Sequence, residues 1–232
     1  SEASLRGPFT NPFPSEPEAQ AKLEGLNYRN ALEALAERFH TTAATLIALN
    51  SADTQLVAGA QIVLPNALPA SRDYAIEDPK ARATLAMLNV SADQPKAARV
   101  VVDKSDRVLR VYDDADRLVA QFPATMGSAR DPLPIGTWKI QGVSFNPDWQ
   151  YNPAILKSAD KSDPKLRIPP GPNSPVGVVW IDLSKEHYGI HGTAEPDKIG
   201  RAESNGCIRL TNWDAARLAL MVKAGVPAVF QL

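Results

Sequence analysis

Short runs in which apolar and polar residues alternate follow one another through the second half of the chain. Three of them, 100–103, 108–112 and 118–125, are separated only by the turn-like segments 104–106 and 113–116. A period of two residues is typical of a β-strand with one buried face, and such short connections join antiparallel neighbours. The pattern therefore predicts a β-meander.

Further apolar runs extend this β-rich region to the end of the chain. Residues 137–143 and 227–232 are predicted strands, and the run 176–183 is apolar on both faces, which favours a central strand. Residues 213–224 have the spacing of a helix. Many strands with few helices predict a mainly β domain over residues 99–232, built as an antiparallel sandwich or a barrel-like sheet.

The residues before this region follow a helical pattern instead. Apolar residues recur with helical spacing over 32–39, and either Thr41 or Thr42 can cap a second helix. The predicted inner face of that second helix consists of Ala43, Leu46, Ile47 and Asn50. Residues 61–65 are then predicted to form a short strand that a proline ends. These features predict a small α+β domain over residues 26–66.

Three other segments lack a clear period. Residues 1–25 are predicted to be an extended arm, and the Ala- and Pro-rich residues 67–98 an ordered linker with a short helix over 79–88. Residues 144–175 form a long connection inside the β domain. A connection of this length is either a lid or binding loop, or a surface excursion anchored by its aromatic residues.

The composition limits the classes of function. The 232-residue chain has a formal net charge of −1 and no long apolar run, which argues against nucleic-acid or anionic-membrane partners and against a transmembrane helix. A single cysteine excludes an intramolecular disulfide and any multi-cysteine zinc site. The chain begins at Ser1 without methionine, so we expect that a signal peptide has been removed.

The only cysteine, Cys207, lies 16 residues after His191. A thiol titrates near ~8.5 and reacts as the thiolate, so a catalytic cysteine needs a nearby base. His191 ends the alternating run 187–191 and is the candidate base. Gly192 then allows a turn, and Gly206 would let backbone N–H groups approach a reacting carbonyl as an oxyanion hole. The alternative for each residue is structural, because lone cysteines and histidines are most often packing residues.

The sequence around these residues resembles the signature of the L,D-transpeptidase catalytic domain, the YkuD domain of bacterial cell-wall enzymes. That family carries His-Gly-Ser/Thr, a loop of about this length, then Ser/Thr-His-Gly-Cys and an apolar-Arg/Asn tail. The matching residues here are His191, Gly192, Thr193, Ser204, Gly206, Cys207 and Arg209. The run 134–140, Pro-Ile-Gly-Thr-Trp-Lys-Ile, is similar to a third segment of the family.

One position departs from the family pattern. Asn205 stands where the family usually carries histidine immediately before Gly-Cys. Asparagine cannot act as a general base, so any base role falls on His191. The amide of Asn205 can still donate a hydrogen bond near the oxyanion or the substrate.

The resemblance implies a mainly β, YkuD-type fold and acyl transfer on peptidoglycan stem peptides. Cys207 would attack the carbonyl of the third stem residue and expel D-alanine, with His191 as base and then acid. The carbonyl of Gly192 would hold the imidazole. An amine acceptor would give a 3→3 cross-link or attach a protein or a D-amino acid. Water as acceptor would instead give an L,D-carboxypeptidase or endopeptidase.

The remaining candidate residues are assigned to substrate binding. Arg209 lies two positions after Cys207 and therefore on the same side of an extended segment. Its guanidinium could bind a substrate carboxylate, or it could form a structural ion pair. Tyr188 and Ser204 are candidate hydrogen-bond donors. His187 is expected to be exposed, and His40, at a helix end, to be structural.

Residues 26–66 resemble a degenerate LysM module, a small peptidoglycan-binding unit. The residues that fit its pattern are Leu32, Leu35, Ala36, Phe39, Leu46, Leu49, Asn50, Gly59 and 62–65. The usual opening, a strand followed by Gly-Asp-Thr, is missing, and residues 26–30 stand in its place. A helical packing domain that binds no sugar is the alternative.

Two other classes of function compete with an acyltransferase. A metal hydrolase would need three ligands, and only His187 and His191 lie close in sequence. A non-catalytic wall-binding scaffold would explain Asn205, but the retained His191 and Cys207 argue against it. The resemblance implies no metal or cofactor. It implies stem peptides and glycan as partners, carbapenem-type β-lactams as inhibitors, and a location in the periplasm or cell envelope.

Overall fold

The computed structural model describes residues 1–129, 131–154, 160–201, 204 and 206–232. Over this part of the chain, the main feature is a nine-stranded sheet with the order β3-β2-β1-β11-β5-β8-β9-β10-β4, beside a separate β6–β7 hairpin. The strands are β1 (Arg99–Asp103), β2 (Val108–Tyr112), β3 (Leu118–Pro123), β4 (Thr125–Met126), β5 (Gly136–Phe145), β6 (Trp149–Tyr151), β7 (Leu166–Ile168), β8 (Val179–Leu183), β9 (Gly189–His191), β10 (Ile208–Arg209) and β11 (Pro227–Gln231). The helices are α1 (Glu2–Leu5), α2 (Pro17–Gln20), α3 (Ala31–Arg38), α4 (Ala43–Asn50), α5 (Pro79–Met87), a 3-10 turn (Pro196–Lys198) and α6 (Asn212–Met221).

The sheet curls into a nearly closed barrel. Its two outermost strands, β3 and β4, are separated in sequence only by the buried Ala124, so the chain passes directly from one end of the sheet to the other. The predicted mainly β, barrel-like architecture is confirmed. The β1–β11 and β9–β10 pairs are parallel, which the alternation of residues did not indicate, and the other neighbours are antiparallel.

Most predicted elements are found at the expected places. Strands β1, β2, β5 and β11 and helices α5 and α6 lie within a few residues of their predicted bounds. The predicted strand 118–125 is two strands, β3 and β4. The predicted run 176–183 contains β8, whose central position is confirmed. Its residues alternate between buried and half-buried, so one face of the strand is more deeply buried than the other.

The N-terminal module has the two predicted helices. Asn30 caps α3 by accepting a hydrogen bond from the backbone of Glu33, and Thr42 caps α4 in the same way through Thr45. Leu46 is buried against α3, as predicted. Ile47 is 40% exposed, so its placement on the inner face was wrong.

The predicted strand 61–65 is wrong, because these residues are described and are not in a strand. The side chain of Asn50 bonds both backbone groups of Val63, accepting from its N–H at 2.6 Å and donating to its carbonyl at 2.8 Å. The residues that stand in place of the LysM opening strand, 26–30, make backbone bonds outside the module. Leu26 exchanges backbone hydrogen bonds with residues 170–173, and Tyr28 accepts one from Thr10.

The segments outside the barrel and the module pack on them. In the linker 67–98, the buried residues Tyr74, Leu85, Leu88 and Val90 belong to the barrel core. The long connection 144–175 contains the β6–β7 hairpin. Phe13 and Leu23 of the N-terminal arm pack with Leu26 against Tyr151 and Ile168 of that hairpin. Among the described residues, no helix has both the length and the apolar character needed to cross a membrane.

Helix α3 contacts the barrel domain through a buried, hydrogen-bonded side chain, and a stacked ring pair lies just beyond the end of the helix. The buried carboxylate of Glu37 accepts hydrogen bonds from Asn212 on α6 and from the hydroxyl of Tyr28. One turn further on, the His40 ring stacks on Trp213 with centroids 5.7 Å apart. Burial raises the pKa of Glu37 to about 8, and the nearby Glu33 acts in the same direction.

We predict that, because of this raised pKa, the free energy of unfolding decreases as the pH rises from 6.5 to 8. The folded state retains a proton on Glu37 that the unfolded chain, with a glutamate pKa near ~4.3, has lost, so stability decreases as pH rises. One retained proton corresponds to about 1.4 kcal/mol per pH unit. Urea unfolding at several pH values measures this slope. Glu37→Gln should flatten it, whereas Glu18→Gln, which changes an exposed residue of α2, should leave it unchanged. An unaltered slope in Glu37→Gln would contradict the attribution of this pH dependence to Glu37.

Candidate active site

Three neighbouring strands place their side chains in one row across the sheet. Trp180 of β8 pairs with His191 of β9, and His191 pairs with Arg209 of β10. Paired residues present their side chains on the same face of a sheet. Cys207 lies two positions before Arg209 and shares that face, whereas Ile208 points to the opposite side and is fully buried. The fold therefore brings the predicted nucleophile and the predicted base to one surface.

This surface forms the floor of a cavity of about 590 Å³. Four residues singled out in the sequence line it: Tyr188, His191, Cys207 and Arg209. One wall comes from the long connection 144–175, through Pro147, Asp148, Trp149 and Gln150. The connection thus contributes directly to the cavity, as expected for a binding loop.

The imidazole of His191 is buried and fixed from two sides. Its Nδ1 donates a 2.7 Å hydrogen bond to the carbonyl of Gly192, and the Trp180 ring stacks on it at 5.4 Å between centroids. Burial, assisted by the positive charge of Arg209, lowers the pKa of His191 to about 3. The ring is therefore neutral at pH 7. Since a carbonyl only accepts, the proton lies on Nδ1 and Nε2 is left as a proton acceptor.

The thiol of Cys207 is half-buried and donates to the carbonyl of His187 at 3.8 Å. Burial raises the pKa of Cys207, while a hydrogen bond from the backbone of Gly189 and the charge of Arg209 act in the opposite direction. The resting site therefore holds a neutral thiol and a neutral imidazole. The thiol must lose its proton before or during any reaction as a nucleophile, because only the thiolate is nucleophilic.

The residues before Cys207 hold its backbone in place. Ser204 is buried, and its hydroxyl accepts from the N–H of Gly127 at 2.8 Å and donates to the carbonyl of Cys207 at 2.6 Å. Gly206 has a positive φ of 98°, and a Cβ there would lie 2.8 Å from the ring of Tyr188. Ser204 thus fixes the loop instead of lining the cavity. Asn205, a predicted oxyanion residue, lies outside the described residues.

Arg209 places a positively charged guanidinium at the cavity. Its Nε is buried without a hydrogen-bond partner, and the guanidinium makes no ion pair with any residue that the structure describes. This favours the substrate-binding interpretation over a structural ion pair, because a buried guanidinium nitrogen needs an acceptor. An anionic group entering the cavity would supply one.

The other histidines have the roles expected from the sequence. His187 is 59% exposed in its side chain and lies in a turn with positive φ. His40 contacts the carbonyl of Leu88 and the ring of Trp213. Within the described ranges, no three His, Cys, Asp or Glu side chains are grouped as a metal site would require.

Three residues that are important to this geometry were not identified from the sequence. Trp180 looked like one member of an apolar run, although its strand register places it on His191. Gly189 leaves room for that indole, because a Cβ there would lie 2.4 Å from the Trp180 ring. Asn212 looked like an ordinary residue at a helix start. The register between strands, which the sequence does not encode locally, would have been needed to find them.

Comparisons with known proteins identify the family of the barrel domain. Residues 97–229 match the family model of the L,D-transpeptidase catalytic domain, YkuD. The chain belongs to this family. It is 35% identical over 127 residues to the YkuD protein of Bacillus licheniformis, which covers 55% of this chain and 61% of that protein. It is 54% identical over 54 residues to the YkuD protein of Bacillus subtilis, covering 23% and 33% of the two chains.

The chain thus spans less than two thirds of the length of these L,D-transpeptidase relatives. Among solved structures, an L,D-transpeptidase from Mycobacterium smegmatis aligns with a TM-score of 0.46 and 23% identity, over 57% of this chain and 58% of that one. L,D-transpeptidase 3 from Mycobacterium tuberculosis, in complex with a faropenem-derived adduct, aligns with a TM-score of 0.45 and 18% identity, over 57% and 59%.

We predict that Gly189→Ala displaces Trp180 from His191 and destabilises this L,D-transpeptidase domain by about 1–3 kcal/mol, the usual cost of overpacking a core. Gly142→Ala in β5 is the matched control, because a Cβ there meets nothing within 4 Å. Thermal unfolding of both variants measures the difference. Equal effects of the two substitutions would contradict the packing argument.

We also predict that iodoacetamide alkylates Cys207 with a rate that rises about tenfold per pH unit from pH 6 to 8.5, because only the thiolate reacts. Arg209→Gln should raise the thiol pKa further and slow alkylation at fixed pH, whereas Arg209→Lys keeps the charge and should not. The measurement is the rate of mass increase. A plateau near pH 6 would instead reveal a preformed thiolate–imidazolium pair.

Proposed function

We propose that this protein is a cysteine-dependent L,D-transpeptidase that acts on peptidoglycan stem peptides. The observation that carries the proposal is the parallel pairing of β9 with β10, which places His191, Arg209 and Cys207 on one face of the sheet in one cavity. Membership of the L,D-transpeptidase family supports it.

In the proposed reaction, the Sγ of Cys207 attacks the carbonyl of the third stem residue. His191 accepts the thiol proton at Nε2, consistent with its neutral imidazole and with the Nδ1 hydrogen bond to Gly192. The same proton then passes to the leaving amine of the terminal D-alanine, and a thioester remains on Cys207. An amine of a second stem attacks the thioester, giving a 3→3 cross-link and the free thiol.

Arg209 is proposed to bind a carboxylate of the stem peptide. Arg209 lines the cavity, and its buried Nε has no hydrogen-bond partner among the described residues. Backbone N–H groups next to Gly206 are proposed to stabilise the oxyanion, since glycine lets a substrate approach the chain closely. A peptidoglycan substrate would locate the protein in the periplasm or cell envelope. Glycan binding by residues 26–66 remains a further part of the proposal, to be tested with insoluble peptidoglycan in a sedimentation assay.

The first test is the intact mass of the protein after incubation with a carbapenem. We expect the mass to increase by one carbapenem in the parent and to stay unchanged in Cys207→Ala, because the strained lactam acylates a working nucleophile. His191→Gln should react about 100-fold or more slowly, since it lacks the general base. A folded parent protein that forms no adduct would favour the non-catalytic scaffold.

The acceptor is tested with a tetrapeptide stem carrying a free side-chain amine. Release of D-alanine together with a cross-linked dimer would support transpeptidation. Release of D-alanine with only the tripeptide product would show that water is the acceptor and that the enzyme is a carboxypeptidase.

A further inference from the structure

A buried carboxyl group from the N-terminal module reaches into the barrel domain close to the active site. Glu37 of α3 is 4% exposed, and its Oε1 and Oε2 accept hydrogen bonds from the Nδ2 of Asn212 at 3.0 and 3.1 Å. Tyr28 donates its hydroxyl proton to Oε2 at 2.9 Å. Asn212 is the first residue of α6 and is fully buried. These contacts connect two parts of the chain that lie 175 residues apart in sequence.

The surroundings of Asn212 allow only one orientation of its amide. Nδ2 also donates to the carbonyl of Pro172 at 3.0 Å, so it faces acceptors only. Oδ1 accepts from the N–H of Val178 at 3.1 Å. A flipped amide would place Oδ1 against the acceptors and lose all of these bonds, which is costly inside a protein. Glu37 supplies two of the three Nδ2 contacts and therefore decides much of this orientation.

The amide oxygen that Glu37 orients lies against the backbone beside His191. A Cβ on Gly192 would lie 2.2 Å from Asn212 Oδ1, and a Cβ on Gly177 would lie 2.1 Å from it. There is thus no free space between the amide and these two glycines. The carbonyl of Gly192 is in turn the acceptor for His191 Nδ1 at 2.7 Å. Contacts therefore run without a gap from Glu37 through Asn212 and Gly192 to the imidazole.

We propose that Glu37 is a positioning residue for His191, acting through Asn212 and the Gly192 peptide. Glu37 touches neither the cavity nor the imidazole. It fixes the amide against which the Gly192 peptide packs, and thereby fixes the carbonyl that selects the Nδ1–H tautomer. The N-terminal module then completes the catalytic geometry of the barrel domain in addition to any binding role. The catalytic consequence rests on the proposed function, whereas the structural one does not.

A purely structural role would predict something different. If Glu37 only held α3 against the barrel, another substitution that weakens this docking to the same extent would disturb His191 to the same extent. His40 offers the matched control, because it contacts Leu88 and Trp213 across the same interface without touching Asn212 or Gly192. His40→Ala therefore weakens docking and leaves the path to the imidazole intact.

The experiment uses the full chain with Glu37→Ala, Glu37→Asp, Glu37→Gln and His40→Ala. The first readout is the NMR resonance of the His191 Nδ1 proton, assigned as the one that disappears in His191→Gln. The second is the rate of carbapenem acylation of Cys207, compared with the thermal midpoint of each variant. Glutamine keeps an oxygen acceptor for Asn212 and resembles the neutral carboxyl that a pKa of about 8 implies at pH 7. Aspartate is one methylene shorter and tests the same contact if the alanine variant fails to fold.

We expect Glu37→Ala and Glu37→Asp to shift or broaden the Nδ1 proton resonance and to slow acylation about tenfold or more, since small displacements of a catalytic group have effects up to about 100-fold. Glu37→Gln and His40→Ala should keep the resonance and stay within about threefold of the parent rate. The inference is overturned if Glu37→Asp keeps both the resonance and the rate, or if His40→Ala loses as much as the Glu37 variants. A parent protein that is never acylated would contradict the proposed function alone, and the resonance would still decide the role of Glu37.

Discussion

The parallel pairing of β9 with β10 is the contact on which the site depends. Ile190 pairs with Ile208, both fully buried, and this apolar pair fixes the register that sets His191 opposite Arg209. A slip of one residue would turn Cys207 and Arg209 to the opposite face, because side chains alternate along a strand. The backbone bond from Leu210 N–H to the His191 carbonyl, 2.9 Å long, holds the same register at its other end. Hydrophobic burial on one face of the sheet thus determines which side chains lie together on the other face.

Burial also determines the ionisation of the site. The cavity floor keeps His191 neutral and raises the pKa of Cys207, so the site does not hold a separated charge pair at rest. The positive charge of Arg209 lowers the pKa of Cys207 and so partly offsets the effect of burial on the thiol. The same charge lowers the pKa of His191 and further disfavours an imidazolium. A substrate carboxylate bound to Arg209 would neutralise this charge and make His191 a stronger base. In this arrangement the acyl donor would itself help to prepare the general base.

Residues at the start of the N-terminal module bond to segments outside it and form part of its interface with the barrel domain. Leu26 and Tyr28 make backbone bonds with distant segments, so they do not form the opening strand that a LysM fold would require. The same segment brings Tyr28 to Glu37, and Glu37 to Asn212, at the start of α6. No strand is found within residues 26–66, all of which the structure describes. Buried polar groups of this kind need hydrogen-bond partners, and the network that Glu37 and Asn212 form fixes the geometry around Gly192.

The sequence by itself determined the local elements and the identity of the reactive groups. Alternation predicted β1, β2, β5 and β11, capping predicted α4, and the spacing of His191 and Cys207 within a family motif predicted the site. The short connections predicted the β1–β2–β3 meander, but tertiary structure alone decided the order of the other strands, and hence that Trp180 stacks on His191. It also decided that residues 61–65 are not a strand, since both backbone groups of Val63 bond to the side chain of Asn50. The physical reason is that propensity and motif spacing are local properties, whereas strand register and buried hydrogen bonds join residues such as Glu37 and Asn212 that are far apart in the chain.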